Sequence, residues 1–409
     1  MLATIRQSLP KCGGGQRSIE VETTLARFGP LARVMGITRI GNVTGLDDLC
    51  IPCVIAVRPA SLSVTVAMGK GATVTQARVS ALMEAAESFH GERIETRFRR
   101  ASEQALWRFG AALVSPGALC RTAAPYDPAD EINWIEGFDL LSGRPCSVPA
   151  ASVHTDCTRG EEGLLLAGSN GLASGNHLLE AIATGLCELI ERDAVALWHS
   201  RSLVERAACR LDLASVTDQA CRALLDRYAA AGMAPRIWQV ASDLGVAVFV
   251  CDLPTRPGDH APLLRRSRGA GCHPEPEVAL ARALAEAAQS RLHRIAGLRN
   301  DLTPEAYTDT AASLGGAALL DALSDAAPGL AFDEAPRFSS RDIGEDVRWL
   351  LDRLAQRGFK QVVAIDLTRD QLDLPVVRMV VPGLEWDCNH PQYRPGPRAL
   401  QREGACFLA

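Results

Sequence analysis

Glu180, Glu188 and Glu191 carry the first chemical signal in the chain. With Thr184 they fall at helical spacing, so a helix over residues 177–200 places them on one face. A polar stripe of this kind ordinarily faces water. Here the rest of the segment, from Leu178 to Trp198, is nearly all apolar or small. That pattern predicts a buried helix with carboxylates inside the protein. Buried carboxylates protonate, pair with a cationic side chain or bind a metal ion. The segment has no lysine, and its one nearby arginine is Arg192. A divalent cation is the economical partner, and oxygen-only donors point to Mg2+ rather than zinc. Magnesium is commonly shared with phosphates, which makes a nucleotide the expected companion.

Two other segments follow the same plan of glycine-containing loop and long alanine-rich helix. Gly69-Lys70-Gly71 precedes a helix expected over residues 75–96, with Ser80, Glu84 and Glu87 on one stripe. Gly269-Ala270-Gly271 precedes one expected over 276–300, with Arg282, Glu286, Gln289 and His293 in line. Backbone N–H groups at such helix starts can receive phosphate. Neither loop is a P-loop or a dinucleotide-binding fingerprint. Together the three units predict an ATP site of another kind.

The three segments resemble the YcaO family of ATP-dependent enzymes that modify backbone amides, over residues 17–398. The run Asn176, Glu180, Glu188, Glu191, Arg192 matches one family motif without a gap, and Arg282, Glu286 and Gln289 match another. The resemblance implies that Glu84 and Glu87 bind Mg2+, with Glu180, Glu188 and Glu191 completing the metal set. It implies catalytic roles for Glu84, Glu87, Glu188 and Glu191. It implies nucleotide contacts from Arg17, Thr24, Asn176, Arg192, Arg282 and Glu286. Glu87-Ser-Phe-His-Gly-Glu92 and Gly36–Gly45 are similar to the branch whose genes accompany a TfuA protein. Many other members have Arg where this chain has Ser88. Ring-forming members often end in Pro-x-Pro-x-Pro, whereas Pro395-Gly-Pro397 is followed here by residues to Ala409.

The function so implied is phosphorylation of a peptide amide oxygen. A sulfur nucleophile adds to the carbonyl, the oxyanion takes the γ-phosphate of ATP, and loss of phosphate leaves a thioamide in a ribosomal peptide or protein. Azoline formation by a substrate Cys, Ser or Thr is the second reading. A non-catalytic ATP-binding accessory protein is the third. Phosphoryl transfer depends on positioning and charge neutralisation, and arginine suits bidentate phosphate contact. The implied partners are a peptide substrate, a TfuA-like protein, a sulfur donor and a second copy of the chain.

The elements that must position these residues read as one α+β unit of YcaO type. Sub-domains of mixed sheet and long helices would surround a central ATP site. The expected divisions are an N-terminal segment over 1–60 that contributes to the nucleotide site, a YcaO domain over 61–400 and a tail over 401–409. Short apolar runs predict strands over 37–68, two strands in 236–253, and further strands over 362–366 and 374–381. Residues 201–235 and 346–357 read as helical, 100–165 as mixed, 301–345 as peripheral, and 382–409 as irregular.

Composition sets outer limits. The 409 residues carry 43 basic and 48 acidic side chains, a net charge of −5, which argues against a nucleic-acid partner. Only Lys11, Lys70 and Lys360 among the basic residues are lysine. Mean hydropathy is +0.03, and no apolar run nears the roughly 18 residues of a membrane span. Thirteen scattered cysteines and no signal-like start predict a cytoplasmic protein with reduced thiols. Cys50 and Cys53 form one CxxC, a weak metal signal without a second pair. Lys70 is open between phosphate and solvent. His90 reads as packing before acid–base catalysis, and Cys272-His273 as adjacent in sequence only. Asp252 and Asp366 read as turn residues at strand ends.

Overall fold

The computed structural model describes all residues except 13–15, 121, 123, 160–162, 255–265, 298–326, 387, 389, 391 and 407–409. Much of the stretch expected to be peripheral therefore lies outside the described residues. The first half contains α1 (Leu2–Ile5), α2 (Val21–Phe28), β1 (Arg39–Asn42), β2 (Cys53–Val57), β3 (Val66–Lys70), α3 (Val74–Glu92), β4 (Arg99–Ser102), α4 (Glu103–Arg108), β5 (Glu131–Asp139), β6 (Arg144–Pro149) and β7 (Leu172–Ser174). The second contains α5 (Leu178–His199), α6 (Leu203–Ala208), α7 (Gln219–Ala230), β8 (Arg236–Gln239), β9 (Ala247–Pro254), β10 (Arg266–His273), α8 (Pro276–Ile295), α9 (Ile343–Gln356), β11 (Val363–Asp366), β12 (Val376–Val380) and α10 (Pro397–Cys406).

The strands form three antiparallel sheets: β1-β2-β3, β10-β9-β8, and a larger one ordered β4-β5-β11-β12-β7 with β6 also paired to β5. Strand β12 is buried on both faces, which is why it reads as a nearly continuous apolar run. Val377 and Met379 pack with α5, while Val376 and Val380 pack with α3. The two carboxylate-bearing helices therefore lie on opposite faces of the large sheet. Helix α5 is enclosed on its other sides by α9 and β10, and its buried residues include Leu179, Ile182, Leu186, Ile190 and Trp198.

The recurring glycines lie in strands rather than in phosphate-binding loops. Gly69 and Lys70 belong to β3, opposite Val54 and Cys53 of β2. Gly269, Ala270 and Gly271 belong to β10, opposite Cys251, Val250 and Phe249 of β9. Gly71, just past β3, donates its N–H to the Pro52 carbonyl. The glycines serve close packing. A Cβ on Gly69 would lie 2.0 Å from the Ala81 nitrogen, and one on Gly271 would lie 2.1 Å from the Ala279 carbonyl oxygen. Each alanine-rich helix thus rests directly on the strand that precedes it.

Sequence patterning left other elements indistinct. Strand β10 and the β5–β6 hairpin stand in stretches without clear alternation. The tail expected to be irregular contains α10, tied back to the core. Arg398 donates from Nε and Nη2 to Asp193 of α5, both at 2.9 Å, and Ala399 N donates to Glu385 at 3.1 Å.

The Glu92 end of α3 is an anchor. Its buried carboxylate accepts from Arg58 Nη2 at 2.7 Å, Arg93 Nη1 at 2.9 Å, and the Ser61 and Ser63 hydroxyls. Burial alone would raise its pKa, but Arg58 and the serines outweigh burial and hold it below the usual range. A lowered folded-state pKa contributes stability above the unfolded value, lost as pH falls through the folded one. Glu92→Gln should cost about 3 kcal/mol at neutral pH. Melting temperature measured from pH 7 to pH 3 should then show a weaker acid-induced decline in the variant than in wild type.

Candidate functional site

Three strand–helix units bring their polar stripes together. Unit β3–α3 supplies Lys70, Glu84 and Glu87; unit β7–α5 supplies Glu180, Glu188, Glu191 and Arg192; unit β10–α8 supplies Arg282, Glu286 and Gln289. Thr73 caps α3 by accepting from Gln76 N, and His177 caps α5 by accepting from Leu179 N. These caps fix where each stripe begins.

Lys70 is held by two side chains of α8. Its Nζ donates to Glu286 Oε2 at 2.7 Å and to Gln289 Oε1 at 3.0 Å. Gln289 in turn donates to the Met68 carbonyl, which fastens α8 to β3. Glu286 Oε1 accepts from Ala270 N at 3.4 Å. Glu286 therefore holds Lys70, whereas Arg282 donates to the Cys272 carbonyl at 3.0 Å. On the other helices, Glu87 Oε1 accepts from Ser174 N at 2.8 Å and Ser174 Oγ at 2.7 Å. Glu188 Oε2 accepts from Gly171 N at 3.3 Å. Arg192 lies 3.7 Å from Glu191 and 4.0 Å from Glu188, too far for strong pairing.

The electrostatics separate these carboxylates into two groups. Burial, reinforced by Glu286 and Glu188, pushes Glu84 up to about 7. Burial, reinforced by Glu84 and Glu188, pushes Glu87 up to about 8. Burial with Glu286 and Glu188 raises Glu191 to about 7, and burial raises Glu188 as well. These four lie in one buried region, where Lys70, Arg192 and Arg378 offset only part of the effect of burial. Glu286 stays below the usual range because Lys70 and Arg192 outweigh its burial. Glu180 also stays low, against burial, because Arg17, Ser18 and Asn176 surround it.

Both Glu180 oxygens are engaged. Oε1 accepts from Ser18 N and Ser18 Oγ, each at 2.6 Å. Oε2 accepts from Asn176 N at 2.8 Å and Asn176 Nδ2 at 3.2 Å. Arg17 Nη1 stands 3.6 Å from Glu180 and 3.5 Å from the Thr184 hydroxyl. Glu180 thereby braces the N-terminal segment against α5. A narrow cleft opens beside it, lined by Arg17, Thr184, Cys187, His273 and Arg282 among others. Thr24 is buried on α2, and its hydroxyl bonds the Glu20 carbonyl of its own helix.

The remaining candidates are structural in this arrangement. His90 is buried, with Nδ1 2.7 Å from the Ala86 carbonyl, and burial lowers its pKa to about 4. Cys272 is buried and its thiol is raised well above the ordinary value by burial. His273 Nδ1 accepts from Glu275 N at 3.0 Å. Cys50 and Cys53 are free thiols, one exposed and one inside β2. Asp252 is a buried residue within β9, 3.4 Å from Arg268 on β10, rather than a turn residue. Asp366 does cap a turn, accepting from Thr368 N.

A family model described as YcaO cyclodehydratase, ATP- and Mg2+-binding, matches residues 68–385. This chain belongs to the YcaO family. A protein encoded in the 3′ region of tfuA in Rhizobium leguminosarum bv. trifolii is 34% identical over 411 residues, covering 98% of this chain and 97% of its own. A protein of Methanothermobacter thermautotrophicus is 33% identical, covering 90% and 95%. Among solved structures, YcaO from Methanopyrus kandleri bound with AMPPCP and Mg2+ aligns with TM-score 0.72 and 26% identity, covering 95% and 98%. A heterocyclase in complex with substrate and cofactor shares the fold, with TM-score 0.75 and 24% identity; the match covers 93% of this chain and 54% of the heterocyclase.

The YcaO donor set suits Mg2+ bound with ATP. It is all oxygen and largely buried, and burial raises its carboxylate pKa values, an effect that a bound cation would offset. Among the described residues no three His, Cys, Asp or Glu side chains converge with metal-ligand spacing. Lys70, Ser174 and Gly171 hold individual carboxylates instead. No helix of the described residues is long and apolar enough to cross a membrane.

Two groups near the site were missed in the sequence. Ser18 carried no signal. Arg378 did, as the lone charge in the apolar run Leu374–Val381.

Proposed function

We propose that this YcaO protein uses ATP to activate a peptide backbone amide and installs a thioamide in a ribosomally made peptide or protein. The observation that carries the reading is the buried set Glu84, Glu87, Glu188 and Glu191, whose burial raises their pKa values and which bound cations would neutralise. Bound Mg2+ would be held by these glutamates and would neutralise charge on the nucleotide phosphates. Arg192 and Arg282 border the cluster and would contact phosphate oxygens. Asn176 and Arg17 would position the nucleotide from the cleft side, with Glu180 holding both in place. Glu286 would act through Lys70, keeping the ammonium beside the carboxylates.

Adding a sulfur nucleophile to the amide carbonyl converts its oxygen to an oxyanion. Phosphorylation by ATP makes that oxygen a good leaving group, and its departure with phosphate leaves C=S. Similarity to the protein beside tfuA over nearly the whole chain supports sulfur insertion with a TfuA-like partner and a sulfur donor. The presence of Ser88 favours the same branch. A homodimer is the expected assembly. The cyclodehydratase wording of the family description supports azoline formation as the second reading.

Both readings send the amide oxygen into phosphate. A peptide carrying 18O at the modified amide should therefore yield 18O-labelled phosphate in Mg2+ and none after EDTA. Unlabelled phosphate, or full turnover in EDTA, would sink the amide-activation account.

A further inference from the structure

A second, small cavity lies between β12 and the loops around residues 118–120 and 165–170. Its lining is mainly apolar, including Leu165, Leu166, Leu189 and Trp386, with Arg378, Asn170 and the buried Glu385 as polar members, and both Glu385 oxygens are already taken by Tyr393, Gly396 and Ala399. Arg378 is 1% exposed, and its Nε and Nη1 have no acceptor among the described residues. Asn170, 7% exposed, has an Nδ2 in the same condition. Arg378 pairs with Leu172 across β12 and β7, and Asn170 lies two positions before Leu172. Two residues that line this largely apolar space thus carry three unmatched donors.

A buried guanidinium with unmatched donors is costly unless something accepts from it. Burial lowers the Arg378 pKa to about 10, with the Glu188 carboxylate pulling the other way. Gly171, next to Asn170, donates to the same Glu188. The cavity thus adjoins the carboxylate cluster through one shared residue.

We infer that Arg378 and Asn170 form an anion subsite that holds the sulfur nucleophile as hydrosulfide beside the phosphoryl-transfer centre. Guanidinium is weakly hydrated and suits a small polarisable anion, and the apolar wall suits sulfur. From this position a sulfur lone pair forms the C–S bond to the amide carbon, and the C=O π electrons move to oxygen. That oxygen takes the γ-phosphoryl group as the bond to ADP breaks. Phosphate then departs with the oxygen, and the S–H proton passes to solvent. The identity of the anion rests on the thioamide reading; the existence of the site does not.

Bromide, similar to hydrosulfide in size and charge, is the direct probe. Crystals of the wild-type protein soaked in bromide should show anomalous density within hydrogen-bond distance of Arg378, and Arg378→Met crystals should not. In steady-state assays with sodium sulfide and peptide, Arg378→Met should raise the KM for sulfide about tenfold or more and leave that for ATP within about twofold. Arg378→Lys should recover part of the loss. An empty cavity in bromide overturns the anion site. An unchanged sulfide KM in Arg378→Met overturns the role in sulfur binding. Bromide at Arg378 in a protein that forms no thioamide supports the site and refutes the functional reading.

Discussion

Glu188→Gln and Glu191→Gln should each lower peptide-dependent ATP turnover by about a thousandfold or more, while the protein melts no earlier than wild type. The two halves of this result have one cause. Burial raises both carboxylates, Glu191 to about 7, so at neutral pH the folded state opposes a charge that the unfolded chain carries freely. Glutamine keeps the shape and removes that penalty, so metal-free stability holds or rises. On the proposed metal role the same change removes a donor to bound Mg2+, so turnover should collapse. ADP release and thermal melting on one preparation test both halves. Retained turnover would remove the metal role, and a melting temperature lower by several degrees would make these residues structural. Glu180→Gln should behave differently and destabilise the protein, because its oxygens accept from Ser18 and Asn176.

Gly69→Ala and Gly269→Ala should leave no cooperatively folded protein. The added methyl carbons would lie 2.0 Å from Ala81 N and 2.3 Å from Ala287 N, both backbone atoms of the helix that packs on the strand. Relief requires lifting α3 from β3 or α8 from β10. That would also withdraw Glu84 and Glu87, or Arg282 and Glu286, from the site. Such overpacking against backbone belongs with the most damaging substitutions, about 4 kcal/mol or more. Gly45 has nothing within 4 Å of an added Cβ. Gly45→Ala should therefore change stability by less than about 0.5 kcal/mol. Circular dichroism melts of the three variants distinguish close packing from a phosphate-binding role, which would lose nucleotide affinity and keep the fold.

Much of the site was legible because charge inside an apolar helix is rare and expensive. Glu188 and Glu191 stand out among Leu186, Cys187, Leu189 and Ile190, and the structure does enclose that helix. The glycines were legible as a pattern but not as a cause. A glycine doublet before an alanine-rich helix fits both a phosphate loop and a close-packed strand, and only the pairing of β3 with β2 and β10 with β9 separates them. Lys70 was ambiguous for a related reason. Its partners Glu286 and Gln289 lie more than two hundred positions away. Strand β10 was hidden because its glycines and arginines interrupt alternation, while its hydrogen bonds with β9 supply the order. The α10 segment gave no apolar period, and its place is set by Arg398 on Asp193 and by Glu385. Arg378 was visible as a lone charge in a strand, but its isolation from acceptors depends on loops brought in from elsewhere in the chain.

The most direct test of the central claim is the mass of a peptide substrate after incubation with the protein, Mg2+, ATP, sulfide and the TfuA-like partner. Oxygen-to-sulfur exchange predicts a gain of about 16 mass units, dependent on ATP and absent in Glu191→Gln. A loss of about 18 mass units would contradict the thioamide account and assign cyclodehydration instead. An unchanged mass with ATP consumed would contradict amide modification altogether.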